Sequence, residues 1–160
     1  MDSGKTQVRY LKLVGDQLTP TTSQSQADTA EVHLYRKDYD GMPVWTDRSG
    51  ASFATFVLSG SRRIDQRFLS VNFRYWPIDT KTQGIYKLKT TTQAYNNLEN
   101  GQAYFALFPQ NVQQINITNV FLAYYDSVGP QVFLQPIFVF EGEPNFMAFV
   151  PAVTPPWTEE

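Results

Sequence analysis

The feature that most constrains the fold is an alternation of apolar and polar residues with a period of two. In residues 69–75 the odd positions are apolar or aromatic, and the even positions are polar or charged. Successive side chains of a β-strand point to opposite faces, so this pattern predicts a strand with one buried face. Residues 53–58 are apolar at nearly every position, which predicts a strand that is covered on both faces.

Most of the remaining chain also has strand character, and only one segment has clear helical character. Further runs rich in β-branched and aromatic residues predict strands at residues 8–14, 32–37, 43–46, 64–75, 103–108, 115–125, 132–140 and 146–150. A helix is predicted at residues 91–99, with Thr90 as its N-cap, Ala94 and Leu98 four residues apart, and Gly101 just past its end. Residues 21–30 give a weaker helical pattern, for which at most two turns are expected.

These elements predict an α+β fold dominated by antiparallel β-sheet, with one clear helix. Residues 1–153 are expected to form a single globular module, and residues 154–160 a proline-containing C-terminal linker. The order of elements also indicates two helix-plus-four-strand repeats, with halves at residues 1–79 and 80–153. A single meandering sheet with one helix remains the alternative.

A proline inside one predicted strand suggests where a partner could bind. Pro136 lies within the run at residues 132–140, and proline cannot donate a hydrogen bond to a neighbouring strand. An edge position or a bulge is therefore expected. This strand is our candidate edge for pairing with a segment of another protein.

The composition excludes several kinds of chemistry and points away from enzymes. The 160 residues include no cysteine and one histidine, His33, which rules out thiol catalysis and cysteine-based zinc sites. Thirteen basic and fifteen acidic side chains give no basic footprint for nucleic acid. Alternation places His33 on the polar face of its strand, where a solvated side chain without a neighbouring nucleophile is expected.

The acidic residues do not form a convincing metal or catalytic motif. Asp38 and Asp40 resemble the opening of a calcium loop, but the closing glutamate position falls at Ser49. Asp40 and Gly41 fit better as a turn between two strands. Three carboxylates lie at predicted strand ends, but nothing singles out a pair for glycoside hydrolysis; they are Asp126, Glu141 and Glu143. We therefore expect no catalytic residues, no metal and no cofactor.

Aromatic residues are the remaining signal, because they make up 15% of the chain. Most phenylalanines are expected to fill the core, whereas tyrosine and tryptophan can form binding surfaces. The candidates for exposed aromatic platforms are Trp45, Tyr75, Trp76, Tyr124, Tyr125 and Trp157. Adjacent Tyr124 and Tyr125 must face opposite sides of one strand. Tyr124, Tyr125, Trp45 and Pro136 are our candidate partner-binding residues.

Three stretches resemble a known family. Residues 39–44 (YDGMPV) look like the DG-hydrophobic-PV turn of PepSY-type propeptide domains. Residues 86–101 are similar to the Y-x-L-K-T-x-x-x-A-x-x-x-L-x-x-G stretch of extracytoplasmic regulatory domains. Residues 122–125, 134–142 and 149–153 look like the C-terminal strands of the same group, which includes the YycH/YycI-type accessory proteins of Gram-positive bacteria. The similarity covers about residues 30–153.

The resemblance implies a non-catalytic module outside the cytoplasmic membrane, usually behind one N-terminal membrane anchor. Such domains pack a helix on an antiparallel sheet, often repeated, and restrain a sensor kinase, a peptidase or another envelope protein. The family offers no catalytic residues to transfer. No signal peptide or anchor is visible in this chain, and the charge-free run at residues 101–125 carries too many amides to span a membrane.

The function expected from the sequence is an extracytoplasmic binding or regulatory module that acts through protein–protein contacts. A structural or adhesive surface module that binds glycan or builds an appendage is one alternative. A peptidase-inhibitor-like propeptide domain is another, and a hydrolase of unknown type would require a deep pocket with perturbed titratable groups.

Overall fold

The computed structural model describes residues 3–46, 52–127 and 129–155. These residues form an α+β fold that is predominantly antiparallel β-sheet, as the alternation predicts. The elements are β1 (Ser3–Val14), β2 (Gln17–Thr21), β3 (Thr29–Arg36), β4 (Val44–Trp45), β5 (Ala54–Ser59), β6 (Phe68–Phe73), α1 (Thr91–Glu99), β7 (Tyr104–Leu107), β8 (Asn116–Tyr125), β9 (Gln135–Glu143) and β10 (Phe146–Pro151). They belong to two compact units, each with its own five-stranded sheet.

The first unit contains residues 3–37 and 52–77 of the described chain. Its sheet has the strand order β2-β1-β3-β5-β6, and all neighbours are antiparallel. The register aligns apolar side chains across one face, where Val8 lies opposite Val32, Val32 opposite Phe56, and Phe56 opposite Val71. Since side chains alternate along each strand, His33 and its neighbours occupy the other, more polar face.

The second unit contains residues 38–46, 78–127 and 129–155 of the described chain. Its sheet has the order β4-β8-β9-β10-β7, in which β4 is parallel to β8 and the other pairs are antiparallel. One face forms a cluster around Phe138, Phe140 and Val150, against which Ala94 of α1 packs. The opposite face forms a second cluster around Val139 and Phe149.

Helix α1 begins and ends where the sequence predicts, for identifiable reasons. The Thr90 hydroxyl accepts a hydrogen bond from the backbone N–H of Gln93 at 3.2 Å, and the Gln93 side chain accepts one from the Thr90 N–H at 2.9 Å. This reciprocal capping box satisfies two donors that the first turn would otherwise leave unpaired. At the other end Gly101 has a φ of 73°, a conformation that glycine adopts without strain.

The turn predicted at Asp40 and Gly41 is also confirmed. Tyr39 and Met42 exchange two backbone hydrogen bonds of 2.9 and 3.0 Å around it. The φ angles of Asp40 and Gly41 are 51° and 77°, as a two-residue type I′ turn requires. The turn connects short extended segments within the second unit.

The prediction that Pro136 marks an edge strand is wrong. Pro136 lies in β9, which is the central strand of its sheet, between β8 and β10. Its carbonyl accepts a hydrogen bond from Ala152 N–H at 2.9 Å, and the Ala152 carbonyl receives the Lys89 N–H at 2.7 Å. Lys89 thus supplies the donor that proline lacks, so the ladder tolerates Pro136 in the middle of the sheet.

Other expectations for the chain termini and the first half need correction. The weak helical pattern at residues 21–30 corresponds to a 3-10 turn at Gln24–Gln26, and strand β2 was not predicted. The expected strand at residues 64–75 shortens to β6, because Ile64–Gln66 forms another 3-10 turn. Residues 156–160 of the expected linker lie outside the described residues, whereas Thr154 N–H donates to the Lys87 carbonyl at 3.0 Å.

The predicted halves meet at residues 79 and 80, close to residues 77 and 78, where the first unit ends and the second resumes. The halves and the units nevertheless do not contain the same residues. Residues 38–46 lie with the second unit rather than the first, because β4 pairs with β8. The second unit contains α1, β7, β8, β9 and β10 in chain order, together with β4. In the described residues α1 is the only α-helix, and none of their helices is long and apolar enough to cross a membrane.

The capping box of α1 gives a testable prediction. Thr90→Ala removes the hydroxyl that accepts the hydrogen bond from the Gln93 N–H. Because this leaves that donor of the first turn unpaired, the free energy of unfolding should fall by about 1 kcal/mol. Urea titration followed by circular dichroism measures this change. Thr92→Ala is the matched control, because it replaces an exposed threonine inside α1 and should be neutral or slightly stabilising. Equal losses in both variants would contradict a capping role for Thr90.

Candidate functional site

A groove at one end of the second unit's sheet is the strongest candidate site. It encloses about 340 Å³, within the range of small-molecule and side-chain pockets. Its lining residues come from four neighbouring strands and the segment before β7: Gln102, Ala103, Tyr104, Tyr125, Gln135, Ile137, Phe149 and Pro151. The groove therefore depends on the assembled sheet rather than on one loop.

The strand register explains why these residues meet. Tyr125 at the end of β8 lies opposite Gln135 at the start of β9. Ile137 in turn lies opposite Pro151 at the end of β10, and Phe149 lies opposite Tyr104 at the start of β7. The last residues of β8 and β10 and the first residues of β9 and β7 thus meet at the same end of the sheet.

Aromatic rings form the floor and the walls of the groove. Phe149 is only 3% exposed, and its ring forms the floor. The Tyr104 ring stacks on it with centroids 5.9 Å apart, and the Tyr125 ring lies tilted at 6.0 Å. Tyr104 remains 54% exposed. Because the floor is fixed by the core and one wall is open to solvent, the groove presents preformed aromatic surface.

None of the described residues that line the groove is charged, and their polar side-chain groups are amides and phenols. Gln102 is held by the C-terminal end of α1, because its N–H donates to the Asn97 carbonyl at 2.8 Å and its side chain bonds that of Asn97. Gln135 lies across the groove in β9. Amides both donate and accept hydrogen bonds, so these walls suit a neutral ligand with its own donors and acceptors.

The wall at Pro151 is held in place by a lysine from outside the groove. The ammonium group of Lys89 donates to the Pro151 carbonyl at 3.0 Å. Burial lowers the pKa of Lys89 below its ordinary value, since a desolvated ammonium group loses hydration. Together with the backbone bond from Lys89 to Ala152, this contact fixes the end of β10.

The four predicted partner-binding residues do not form one site. Tyr125 lines the groove, whereas Tyr124 points to the other face and packs edge-to-face on Tyr39, with centroids 5.5 Å apart. Trp45 packs edge-to-face on Phe121 at 5.3 Å, and Pro136 lies opposite Tyr124 in the ladder. The prediction that adjacent tyrosines face opposite sides is confirmed.

The other predicted aromatic platforms lie elsewhere. Tyr75 lies under the Arg36 guanidinium, 4.5 Å from its ring centroid. Trp76 is 41% exposed, and its carbonyl accepts a hydrogen bond from Arg36 at 2.8 Å. Trp157 lies outside the described residues. None of these described side chains lines the groove.

Tyr104 and the two glutamines of the groove were not predicted as binding residues from the sequence. Tyr104 lies in a correctly predicted strand region, but nothing local distinguishes it from the core aromatics around it. Gln102 precedes a strand and Gln135 begins one, positions where polar residues are common. Only the order of strands in the sheet brings these three residues together.

The expectation that His33 is solvated, without a neighbouring hydroxyl nucleophile, is wrong. Its side chain is 14% exposed, and its Nδ1 lies 3.3 Å from Thr55 Oγ1 and 3.4 Å from Ser52 Oγ. Its Nε2 lies 3.4 Å from a carboxylate oxygen of Glu31. These contacts are at the long limit of hydrogen bonds, whereas Ser52 and Thr55 bond each other at 2.8 Å. The group forms a polar cluster across the sheet, with Glu31 and His33 on β3, Thr55 on β5 and Ser52 just before β5.

In the described part of the chain, no group of three or more histidine, aspartate or glutamate side chains is placed to hold a metal ion. No protein-family model matches the chain, and no curated protein or solved structure is significantly similar to it. The resemblance to PepSY-type domains therefore depends on the sequence motifs alone.

The surroundings of Tyr124 predict a specific response to alkaline pH. Burial, followed by the charge of Asp40 and the neighbouring Tyr39, raises the pKa of Tyr124 above its ordinary value of 10.0. Above pH 10 the unfolded chain loses this proton before the folded chain does, so the free energy of unfolding falls as pH rises. Tyr124→Phe should make this fall less steep, as measured by urea titrations between pH 9 and 11.

Asp40→Asn provides the matched control for the charge contribution. Asparagine accepts the positive φ of this turn position, so the turn should survive while the pKa of Tyr124 decreases. Ultraviolet absorbance titration of the phenols should show this decrease. A tyrosine titration in Asp40→Asn that matches that of the parent chain, or a pH dependence of stability in Tyr124→Phe that matches that of the parent chain, would contradict the proposed environment of Tyr124.

Proposed function

We propose that this chain is a non-catalytic binding module whose groove takes an extended, uncharged segment of a partner protein. The observation that carries the proposal is the pair of tyrosine rings, Tyr104 and Tyr125, on either side of the buried Phe149 ring. Grooves lined with aromatic side chains accept extended proline-containing segments, because flat rings pack against the pyrrolidine ring and the backbone. The described lining residues carry no charge, which favours a neutral segment.

The two glutamines give such a segment its orientation. Gln102 and Gln135 come from opposite sides of the groove and can donate to and accept from a peptide backbone. An extended peptide has unpaired N–H and C=O groups at regular spacing, which are the groups an amide recognises. Apolar contact with the rings then supplies affinity, and the amides supply direction.

The biological setting of the proposal comes from the sequence motifs. They support an extracytoplasmic regulatory module of PepSY-like type, anchored to the membrane in its parent protein and binding a sensor kinase or peptidase. The order of predicted elements along the sequence supports the two-repeat origin of the chain. Locating the parent protein by protease accessibility in intact and lysed cells tests this setting, and protection in intact cells but digestion after lysis would contradict it.

A glycan is the second candidate ligand, in a structural or adhesive module. The same observation favours it, because tyrosine rings stack on sugar faces and glutamine amides bond sugar hydroxyls. The peptide reading differs in one respect that can be measured: it requires a continuous backbone with alternating donors and acceptors. Neutral oligosaccharides lack this backbone and therefore distinguish the two candidates.

The groove proposal is tested by selecting binders from a random library of displayed ten-residue peptides against the full chain. Selected peptides should be uncharged and enriched in proline, and Tyr104→Ala should weaken their binding at least tenfold in isothermal titration calorimetry. Tyr104 is largely exposed, so its replacement should leave the fold intact. Tyr95→Ala is the matched control, because Tyr95 is an exposed tyrosine of the same unit outside the groove.

Three results would overturn the peptide proposal. One is that no peptide is enriched; another is that the enriched peptides bind Tyr104→Ala as tightly as the parent chain. The third is that neutral oligosaccharides bind in the groove and no peptide competes with them, which would support the adhesive alternative. Backbone amide shifts in NMR spectra, confined to the groove residues, would identify which surface each probe contacts.

A further inference from the structure

The two sheets differ in how their edges are protected against pairing with another strand. Unpaired backbone groups at a sheet edge bind other strands unless the edge is short, charged or interrupted by proline. In the described part of the chain, β4 has two residues, β7 has four, and β2 contains Pro20. Strand β6 at the other edge of the first sheet has six residues, no charge and no proline.

The side chains of β6 are also unusually exposed for their type. Leu69, Val71 and Phe73 are each more than half exposed, at 56%, 55% and 55%. The register places Val71 beside Phe56 and Phe73 beside Ala54, on the apolar face of the sheet. An alternating apolar edge of this kind is a template for an additional strand.

The free edge exposes a definite set of backbone groups. Arg74 N–H donates to the Phe53 carbonyl at 2.7 Å, so the backbone groups of Arg74 face β5. Because these groups alternate in direction along an antiparallel strand, those of Val71 and Phe73 face away from β5. A register shift near Phe68 ends the regular ladder, so regular pairing is available over residues 69–73.

We propose that β6 pairs with β6 of a second copy of this chain, antiparallel and about a two-fold axis at Val71. The segment 69–73 is self-complementary, because apolar residues alternate symmetrically about Val71. With Val71 opposite its own copy, Leu69 lies opposite Phe73 and Ser70 opposite Asn72. This register keeps apolar residues on one face, whereas a shift by one residue would place them opposite polar ones.

Backbone groups and charges agree with the same register. The outward-facing N–H and C=O of Val71 would form a hydrogen-bonded pair with those of its copy. Arg67 and Arg74 flank the strand, and this register places neither arginine opposite itself or the other. The first-unit sheets of the two copies would then form one ten-stranded sheet. Because both copies use the same edge, the assembly stops at two chains. A contact limited to residues 69–73 of each copy predicts a weak, concentration-dependent dimer.

Sedimentation velocity of the full chain from about 10 μM to about 1 mM tests the dimer. We expect the sedimentation coefficient to rise from the monomer value towards that of a dimer. Val71→Lys places two ammonium groups opposite each other and should raise the dissociation constant at least tenfold. Leu18→Lys is the matched control, since Leu18 is an exposed residue of β2 at the other edge, and it should dimerise like the parent chain.

Cysteine cross-linking tests the register independently of folding defects in the lysine variant. The chain contains no cysteine, so each single-cysteine variant reports one position. Residues opposite each other in a hydrogen-bonded pair have Cα atoms about 5.5 Å apart, within disulfide range. Val71→Cys should therefore form a disulfide dimer quickly. Ser70→Cys should react slowly, because its copies would be about 8 Å apart.

The proposal is overturned if the chain stays monomeric at 1 mM, or if both lysine variants weaken association equally. Faster cross-linking at position 70 than at position 71 would overturn the register, and open-ended assemblies would overturn the two-fold contact. The groove and this edge lie in different units. Peptide binding by Val71→Lys therefore separates a failure of the dimer from a failure of the proposed function.

Discussion

The second unit depends on the pairing of β9 with β10, a hairpin that is buried on both faces. Alternate residues of β9 belong to different clusters: Phe138 and Phe140 face α1, whereas Ile137 and Val139 face the other side. Full burial of each such side chain contributes about 1.5–3 kcal/mol relative to exposure. Because both clusters share these two strands, α1 and the groove rest on the same hairpin.

The groove is therefore rigid at its floor and adaptable at its rim. Phe149 belongs to the core cluster and also forms the floor, so it cannot move without disturbing the hairpin. Tyr104 lies at the edge strand β7 and is largely exposed. A binding surface with a fixed floor loses little conformational entropy when it is occupied. The exposed rim is where specificity can change without a cost to the fold.

Local sequence patterns predicted most of the helices and strands. The predictions failed where contacts with residues distant in the sequence determine the position or burial of a residue. The caps of α1 and the Asp40–Gly41 turn depend on neighbours in sequence, and both were predicted correctly. Pro136 was predicted at a sheet edge because proline has no N–H to donate to a neighbouring strand. That local rule cannot show that the Lys89 N–H donates to the Ala152 carbonyl in its place. Likewise, alternation put His33 on the polar face but could not show that Ser52 and Thr55 lie beside it.

The candidate site was less predictable than the fold for the same reason. Aromatic composition indicated a binding surface, and Tyr125 was among the residues it suggested. The remaining lining residues come from strands whose spatial order, β8-β9-β10-β7, differs from their order in the chain. The spacing of residues in the sequence does not show which strand termini lie together at one end of the sheet. Tyr104 could therefore not be distinguished from a core residue.

The unequal burial of the two units gives the exposed edge a physical meaning. In the described residues, the buried hydrophobic side chains of the first unit are Leu11, Phe53 and Ala54, while the second unit has most of the core. A unit of about 60 residues buries only about 60% of the surface that its unfolded chain exposes, a smaller fraction than a larger domain buries, so it is only marginally stable by itself. Covering Val71 and Phe73 by association would therefore add proportionally more stability to the first unit than to the second. The unprotected edge lies on the unit that benefits most from pairing.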